Sequence, residues 1–356
     1  MYSEQDKQTS FFGDIIYEKA VPKNNFLRQL SNAVDFSFVN ELCRDLYCED
    51  NGRPCREPQV VFKALFLQIL YDLSDYDVED EINDRLSFKW FLGLDTDEPA
   101  PDHSTLSVFR DRLGVERFTK IFNKIVEIAR SKNLVSDKLH IVDSTHIRAK
   151  VNIFKLKKDH SKDESDDYVD RHTPDKDARF GHKTKNKIFY GYKQHTRMDA
   201  ESEIIVEQET TPGNESDKKH LADLLPENNS PGIITADKGY DSKENHKLLF
   251  ERKIRNGIIP RKHKSTYKFA KRVSIVARKF RVRIEHKYSE LKQWHSFNKA
   301  RYWGLAKMTI QSLMSCVVVN CKRPAYRQAG WLFQQYHIVI VSSSKILAGT
   351  IKYLIQ

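Results

Sequence analysis

Three carboxylates stand out by where they fall. Asp143 lies in IVDST, inside a β-rich stretch, and Asp237 in IITADKGYD, at the carboxyl end of a short apolar run. Glu285 lies in KFRVRIEHKYSELKQW, a stretch with helical spacing. Ligands of open α/β sheets collect at the carboxyl ends of the strands. Three hard oxygen donors on separate elements suit Mg²⁺ or Mn²⁺, which keep several waters and need few protein ligands. Two such ions about 3.5–4 Å apart clamp the attacking and leaving oxygens of a phosphodiester. Arg281, Glu285, Tyr288 and Lys292 are spaced by four, three and four, so a helix puts them on one face. Phe280, Ile284, Leu291 and Trp294 form an adjacent apolar stripe. The helix is expected to bury that stripe and to present the Arg-Glu-Tyr-Lys face. Arg281 and Lys292 could then hold phosphates by charge-assisted hydrogen bonds.

The charge supports a polyanionic partner. Residues 1–137 carry a net charge of −8 and residues 138–356 a net +19. Between Arg252 and Lys307 there are 18 basic residues and two acidic ones, Glu285 and Glu290. Nucleic acid is the usual partner of such a field; a solvated basic surface or a segment facing anionic lipid is the blander alternative. No run of 18 apolar residues suggests a membrane span. The polar start, MYSEQDKQTS, lacks the basic-then-apolar order of a secretory signal. The five cysteines are expected to be reduced thiols in a cytoplasmic, nucleoid-associated protein.

The elements that must position these acids divide in two. The front third reads as helices. Apolar residues recur at helical spacing from Asn24 to Tyr47, and Pro58 opens a strongly apolar helix. Amphipathic pieces around Val78–Leu86 and Lys89–Leu94 follow. A helix from Asp102 or Ser104 stops at Gly114, and another covers Glu116–Lys132. After Ser136 the pattern becomes β. Strands are expected at Leu139–Lys150, Lys187–Met198 and Ser202–Thr210, with a hairpin turn at 199–201. Then come a helix at Asp217–Leu225, a buried strand at Gly232–Ala236, a helix at Ser242–Lys253, a strand at Gly257–Pro260 and a helix at Lys279–Trp294. Residues 151–186 read as a charged insertion unable to bury much. Three strands followed by alternation imply a mixed sheet flanked by helices, the order of an RNase H-like fold. The expected fold class is α+β and multidomain. A helical N-terminal domain (1–137) is expected first. An RNase H-like catalytic domain (138–320) and an atypical tail (321–356) follow it.

These residues resemble a bacterial insertion-sequence DDE transposase, over about Tyr17 to Asn320. In that group the third acid sits in a signature Y-x2-R-x3-E-x6-K. Arg281, Glu285 and Lys292 match it, while Arg278 occupies the tyrosine position. The segment DKGYD (Asp237–Asp241) resembles the second-acid motif, and FNKARYWGLAK (Phe297–Lys307) the stretch after the glutamate. The resemblance implies that Asp143, Asp237 and Glu285 bind two Mg²⁺ or Mn²⁺ ions. It implies cleavage at the ends of an insertion sequence, freeing 3′-hydroxyls that attack target DNA. It implies that the helical N-terminal domain serves DNA binding or dimerisation. The partners would be double-stranded DNA, as terminal inverted repeats and target, and further copies of the chain in a homodimer or larger synaptic assembly. Lys238, Arg278 and Arg301 are further candidates for phosphate contact. Two other readings stay open: a transposase-derived DNA-binding protein without catalysis, and a metal-dependent nuclease that cuts without joining.

The remaining constellations are less specific. The helix DHSTLSVFRDRLG could be a recognition helix, with Ser104, Thr105, Ser107, Arg110 and Arg112 facing DNA, or a packing helix. His146 could touch a phosphate or be a structural strand histidine. Tyr288, Trp294, Phe297, Tyr302 and Trp303 could supply one residue that stacks on a splayed base, or be core. Cys43, Cys48 and Cys55 are poorly spaced for zinc, and Cys43, Cys316 and Cys321 read as buried. The tail HIVIVSSSKILAGTIKYLIQ reads either as a frameshifted or fused end or as an ordinary docked element.

Overall fold

A helical unit precedes a sheet-based one, and glycine marks the boundary. The computed structural model describes residues 10–48, 55–152, 173–184, 187–225, 231–261 and 267–328. The described residues form two compact units, one of those up to 113 together with those from 318 onward, the other of those within 114–317.

The first unit contains α1 (Phe11–Ala20), α2 (Phe26–Ala33), α3 (Phe38–Cys43), α4 (Pro58–Leu70), α5 (Asp75–Asp84) and α6 (Leu86–Leu92). It also holds the first part of α7 (His103–Ser131). Pro58 stands in the first turn of α4, as its fixed φ favours. Most apolar residues of α4 are buried, and the rings of Phe36, Phe62, Phe66 and Phe91 pack with centroids 5.5–6.2 Å apart. The Asn24–Tyr47 run is two helices rather than one. Asp35 accepts the Ser37 backbone N–H at 2.9 Å and so closes a turn between them. Ser74 opens α5 with a capping box completed by Asp77. The helix α7 is broken at Gly114, whose φ of 58° leaves the helical region. Only glycine takes that conformation without steric cost, and it produces the expected stop and restart.

The second unit is built on one six-stranded mixed sheet. Its strands are β1 (Leu139–Arg148), β2 (Arg179–Thr184), β3 (Lys187–Asp199), β4 (Ile205–Pro212), β5 (Ile233–Ala236) and β6 (Arg255–Ile258). β1 pairs antiparallel with β3 and parallel with β5, and β6 runs parallel beyond β5. The other edge of β3 serves two partners, β2 along 187–191 and β4 along 192–198. Gly191 sits at that changeover with φ 158°, and a Cβ there would lie 2.0 Å from the Ile147 carbonyl oxygen. Its helices are the second part of α7, α8 (Lys243–Glu251), α9 (Tyr267–Trp294) and the first part of α10 (Leu305–Gln328), whose remainder belongs to the first unit. Leu221, Leu224, Leu225, Leu249 and Ile254 pack with Val142, Ile234 and Ala236 in one core cluster. α9 packs on β1 and β6, burying Phe280, Ile284 and Leu291.

This is the α+β arrangement expected from the sequence, with four corrections. Arg179–Thr184 is a strand, although it lies in the stretch expected to be an insertion. An edge strand needs main-chain pairing more than apolar alternation, and β2 finds it on β3. In the same stretch Asp175 is fully buried, accepting from the Tyr192 hydroxyl at 2.5 Å and the Gly304 N–H at 3.1 Å. Asp217–Leu225 is not an α-helix; a single 3-10 turn, Asp217–Lys219, is followed by turns. Leu225 precedes a proline, which disfavours helical backbone there, and its leucines still reach the core. Trp294 is 68% exposed rather than part of the buried stripe, because it ends the helix. Most of the tail, residues 329–356, and 153–172 of the charged stretch lie outside the described residues.

Candidate active site

The acids meet because two parallel strands end together. Val142 pairs with Ala236 as the last residues of the β1–β5 register, so Asp143 and Asp237 follow side by side. Asp143 accepts the Ser144 N–H at 2.9 Å. Asp237 accepts the Lys238 N–H at 2.7 Å and caps the short turn Lys238–Tyr240. The third acid comes on α9. The Tyr288 hydroxyl, one turn past Glu285, donates to the Asp143 carbonyl oxygen at 2.8 Å and also meets the Thr196 hydroxyl. Tyr288 is therefore buried as a tether, not displayed beside Glu285 as helical spacing by itself implies.

Arg281 sits among the three carboxylates. Its Nη1 donates to Asp237 Oδ1 at 3.0 Å, and Nη2 lies 3.7 Å from both Asp143 Oδ2 and Glu285 Oε1. Exposure grades outward, with the Asp143 side chain 13% exposed, Asp237 31% and Glu285 57%. Burial pushes the Asp143 carboxyl up to about 6, against the pull of Arg281 and with the charges of Asp237 and Asp217 adding to the rise. Among the described residues, ligand atoms lie within 4.8 Å of one another in the groups Glu79–Asp102–His103 and Glu209–His220–Asp223. The three acids are spread wider, around the guanidinium. Three carboxylates facing one cationic group are the donor set a hard divalent cation takes, so the residues fit such an ion once Arg281 withdraws.

The other expected contacts are dispersed. Lys238 is exposed and Lys292 half-buried, both flanking the acids in sequence. Arg301 is half-buried, its backbone N–H donating to Gln311 Oε1 at 2.8 Å. Arg278 lies on α9, with its side chain outside the described residues. Arg112 is exposed, with its guanidinium over the Tyr47 ring at 4.6 Å. Arg110 is 8% exposed and gives both Nη atoms to Asp75, at 2.9 and 2.5 Å, so its charge is spent inside the helical unit. His146 lies 5.0 Å from the Phe189 ring, Phe297 is buried, and Trp303 is half exposed with its indole N–H on the Lys150 carbonyl.

One group near the acids has no counterpart among the residues singled out from the sequence. Lys193 Nζ donates to Asp217 Oδ1 at 3.1 Å and to the Glu215 carbonyl at 2.8 Å. His195 Nδ1 lies 3.3 Å from the Tyr240 hydroxyl, and burial pushes its imidazole down to about 3, so it is neutral. The alternation Lys193, His195, Arg197 in a strand otherwise bound for the core was the available signal.

Sequence comparison decides the family. Residues 15–112 match "Transposase domain (DUF772)", and residues 136–321, just over half of the chain, match "Transposase DDE domain". The chain belongs to the DDE transposase family. DDE transposases act on DNA and use divalent metal ions. A piggyBac transposase, solved by cryo-EM as a synaptic complex with hairpin DNA, is 13% identical. The match covers 68% of this chain and 50% of that chain, with a TM-score of 0.28. This chain thus spans about half of that transposase's length. Among the described residues, no helix is long and apolar enough to cross a membrane.

Proposed function

We propose that the protein cuts DNA at the ends of an insertion sequence and joins the freed 3′ ends to target DNA. Asp143, Asp237 and Glu285 are the acids that hold two divalent ions, Mg²⁺ or Mn²⁺. The observation that carries this reading is the meeting of the two strand-end aspartates with Glu285 around a single cationic group. Held by Asp143, Asp237 and Glu285, such ions would supply Lewis acidity to the attacking and leaving oxygens. The protein's own contribution is positioning and charge. Asp143 and Asp237 are set by adjacent strands, and Glu285 by the helix tethered through Tyr288. Lys292, Lys238 and Arg301, within the basic half of the chain, lead the flanking DNA past the acids. The helical front (1–137) serves end binding or dimerisation, and a cytoplasmic homodimer or larger assembly holds two ends together.

The test is a plasmid carrying candidate element ends, incubated with protein and Mn²⁺. Nicking followed by joining to a second DNA, both lost in Asp237→Ala and Glu285→Gln, supports the proposal. Nicking without joining identifies a nuclease. DNA binding with no nicking, unchanged in the variants, identifies a DNA-binding protein without catalysis.

A further inference from the structure

Arg281 is held in an unusual way for an arginine among acids. Of its three carboxylate neighbours only Asp237 is within hydrogen-bond distance, at 3.0 Å; Asp143 and Glu285 are each 3.7 Å away. Its Nε is buried and has no hydrogen-bond acceptor among the described residues. Arg110 shows what a fitted pair looks like in the same protein, with both Nη atoms on both oxygens of Asp75. Arg281 is thus attracted by the sum of three negative charges rather than locked by a matched fork. Its side chain keeps 25% of its surface exposed, so it is not sealed into the core.

A divalent ion would draw on the same three carboxylates. Its oxygen ligands sit at about 2.0–2.1 Å for Mg²⁺, well inside the present spread of the acids around the guanidinium. Two cationic groups cannot share that space, so metal and guanidinium compete. A guanidinium displaced from carboxylates has an equally good partner in a phosphodiester, which it binds through two parallel N–H donors.

We propose that Arg281 is a place-holder that keeps divalent metal out of the three-acid site until a DNA phosphate draws its guanidinium away. Metal loading and DNA binding then reinforce each other, and the coupling is reciprocal. The protein without DNA keeps a guanidinium among its acids and does not carry a loaded cutting centre. The inference rests on Asp143, Asp237 and Glu285 being metal ligands.

The experiment is a Mn²⁺ titration of the full chain followed by electron paramagnetic resonance. It is done with and without a short DNA duplex of arbitrary sequence. In the wild type, DNA should tighten Mn²⁺ binding. Arg281→Gln should tighten it by about tenfold in the absence of DNA and leave little further gain when DNA is added. Arg281→Lys, which keeps the charge, should still respond to DNA and guards against a folding defect in the glutamine variant. Equal Mn²⁺ affinity in wild type and Arg281→Gln overturns the place-holder while leaving the metal site intact. Failure of every form to bind Mn²⁺ with DNA present, or binding unaffected by Asp237→Asn, overturns the metal site itself and the place-holder with it.

Discussion

The Tyr288 hydroxyl donates to the main-chain carbonyl of Asp143 across 2.8 Å, so the helix that carries Glu285 is tied to the very residue that supplies the first acid. The tie does not depend on the acid's side chain or its charge. Burial holds the phenol well above its ordinary pKa, so it remains a donor throughout the working range. Tyr288→Phe should cost about 1–2 kcal/mol, the range for a hydrogen bond whose buried carbonyl loses a donor. Urea denaturation checks this, and a variant as stable as the wild type would show that the tether contributes nothing.

Asp143 should make the metal-free protein less stable as pH rises. Its carboxyl is raised from 3.8 to about 6, so between those values the folded protein binds more protons than the unfolded chain. Stability then falls with rising pH across that window and is level above it. The full cost at neutral pH is up to about 3 kcal/mol. Asp143→Asn should therefore raise Tm at pH 7 relative to wild type and leave the two alike near pH 4. Thermal melts at both values in the presence of a chelator decide it; a variant that melts below wild type at pH 7 would be the contrary result.

Arg110 should be a stability residue and not a DNA contact. Asp75→Ala strands a guanidinium that is 8% exposed, which costs about 3–5 kcal/mol by analogy with broken buried pairs. Arg110→Met removes the buried charge itself and should cost less. It should also leave the salt dependence of DNA binding unchanged. Lys292→Ala or Lys238→Ala, at the lysines proposed to contact phosphate, should lower the slope of log affinity against log salt by about one. A lower slope for Arg110→Met would return Arg110 to the DNA interface.

Gly191→Ala should be among the most damaging single changes in the sheet. The added Cβ would lie 2.0 Å from the Ile147 carbonyl oxygen and 2.8 Å from the Ala149 nitrogen, both of them backbone atoms. Neither can move without opening the β1–β3 ladder that places Asp143. A loss of roughly 4 kcal/mol or more is expected. Far-ultraviolet circular dichroism and denaturation would register it, and a variant with wild-type stability would mean that the β3 changeover is softer than its geometry indicates.

Much of the site is legible in the amino-acid sequence because its parts are local. An aspartate inside a β-rich run, another at the end of a four-residue apolar strand, and a glutamate on an amphipathic helix each announce their element by periodicity. The helix stop at Gly114 and the start at Pro58 are legible for the same reason, since both follow from one residue's own backbone preference. What stays hidden depends on partners far along the chain. Helical spacing puts Tyr288 on the face of Arg281 and Glu285, but only the arrival of β1 turns it into a buried tether 145 residues from its acceptor. β2 has no pattern of its own and is a strand because β3 offers an edge. Arg110 has the spacing of a helix-surface cation until Asp75, 35 residues earlier, meets it. The residue types and their elements are thus settled by short-range backbone and side-chain preferences. The gathering of three acids around Arg281 is decided only by tertiary packing, because charge interactions act through distances in space that sequence spacing does not encode.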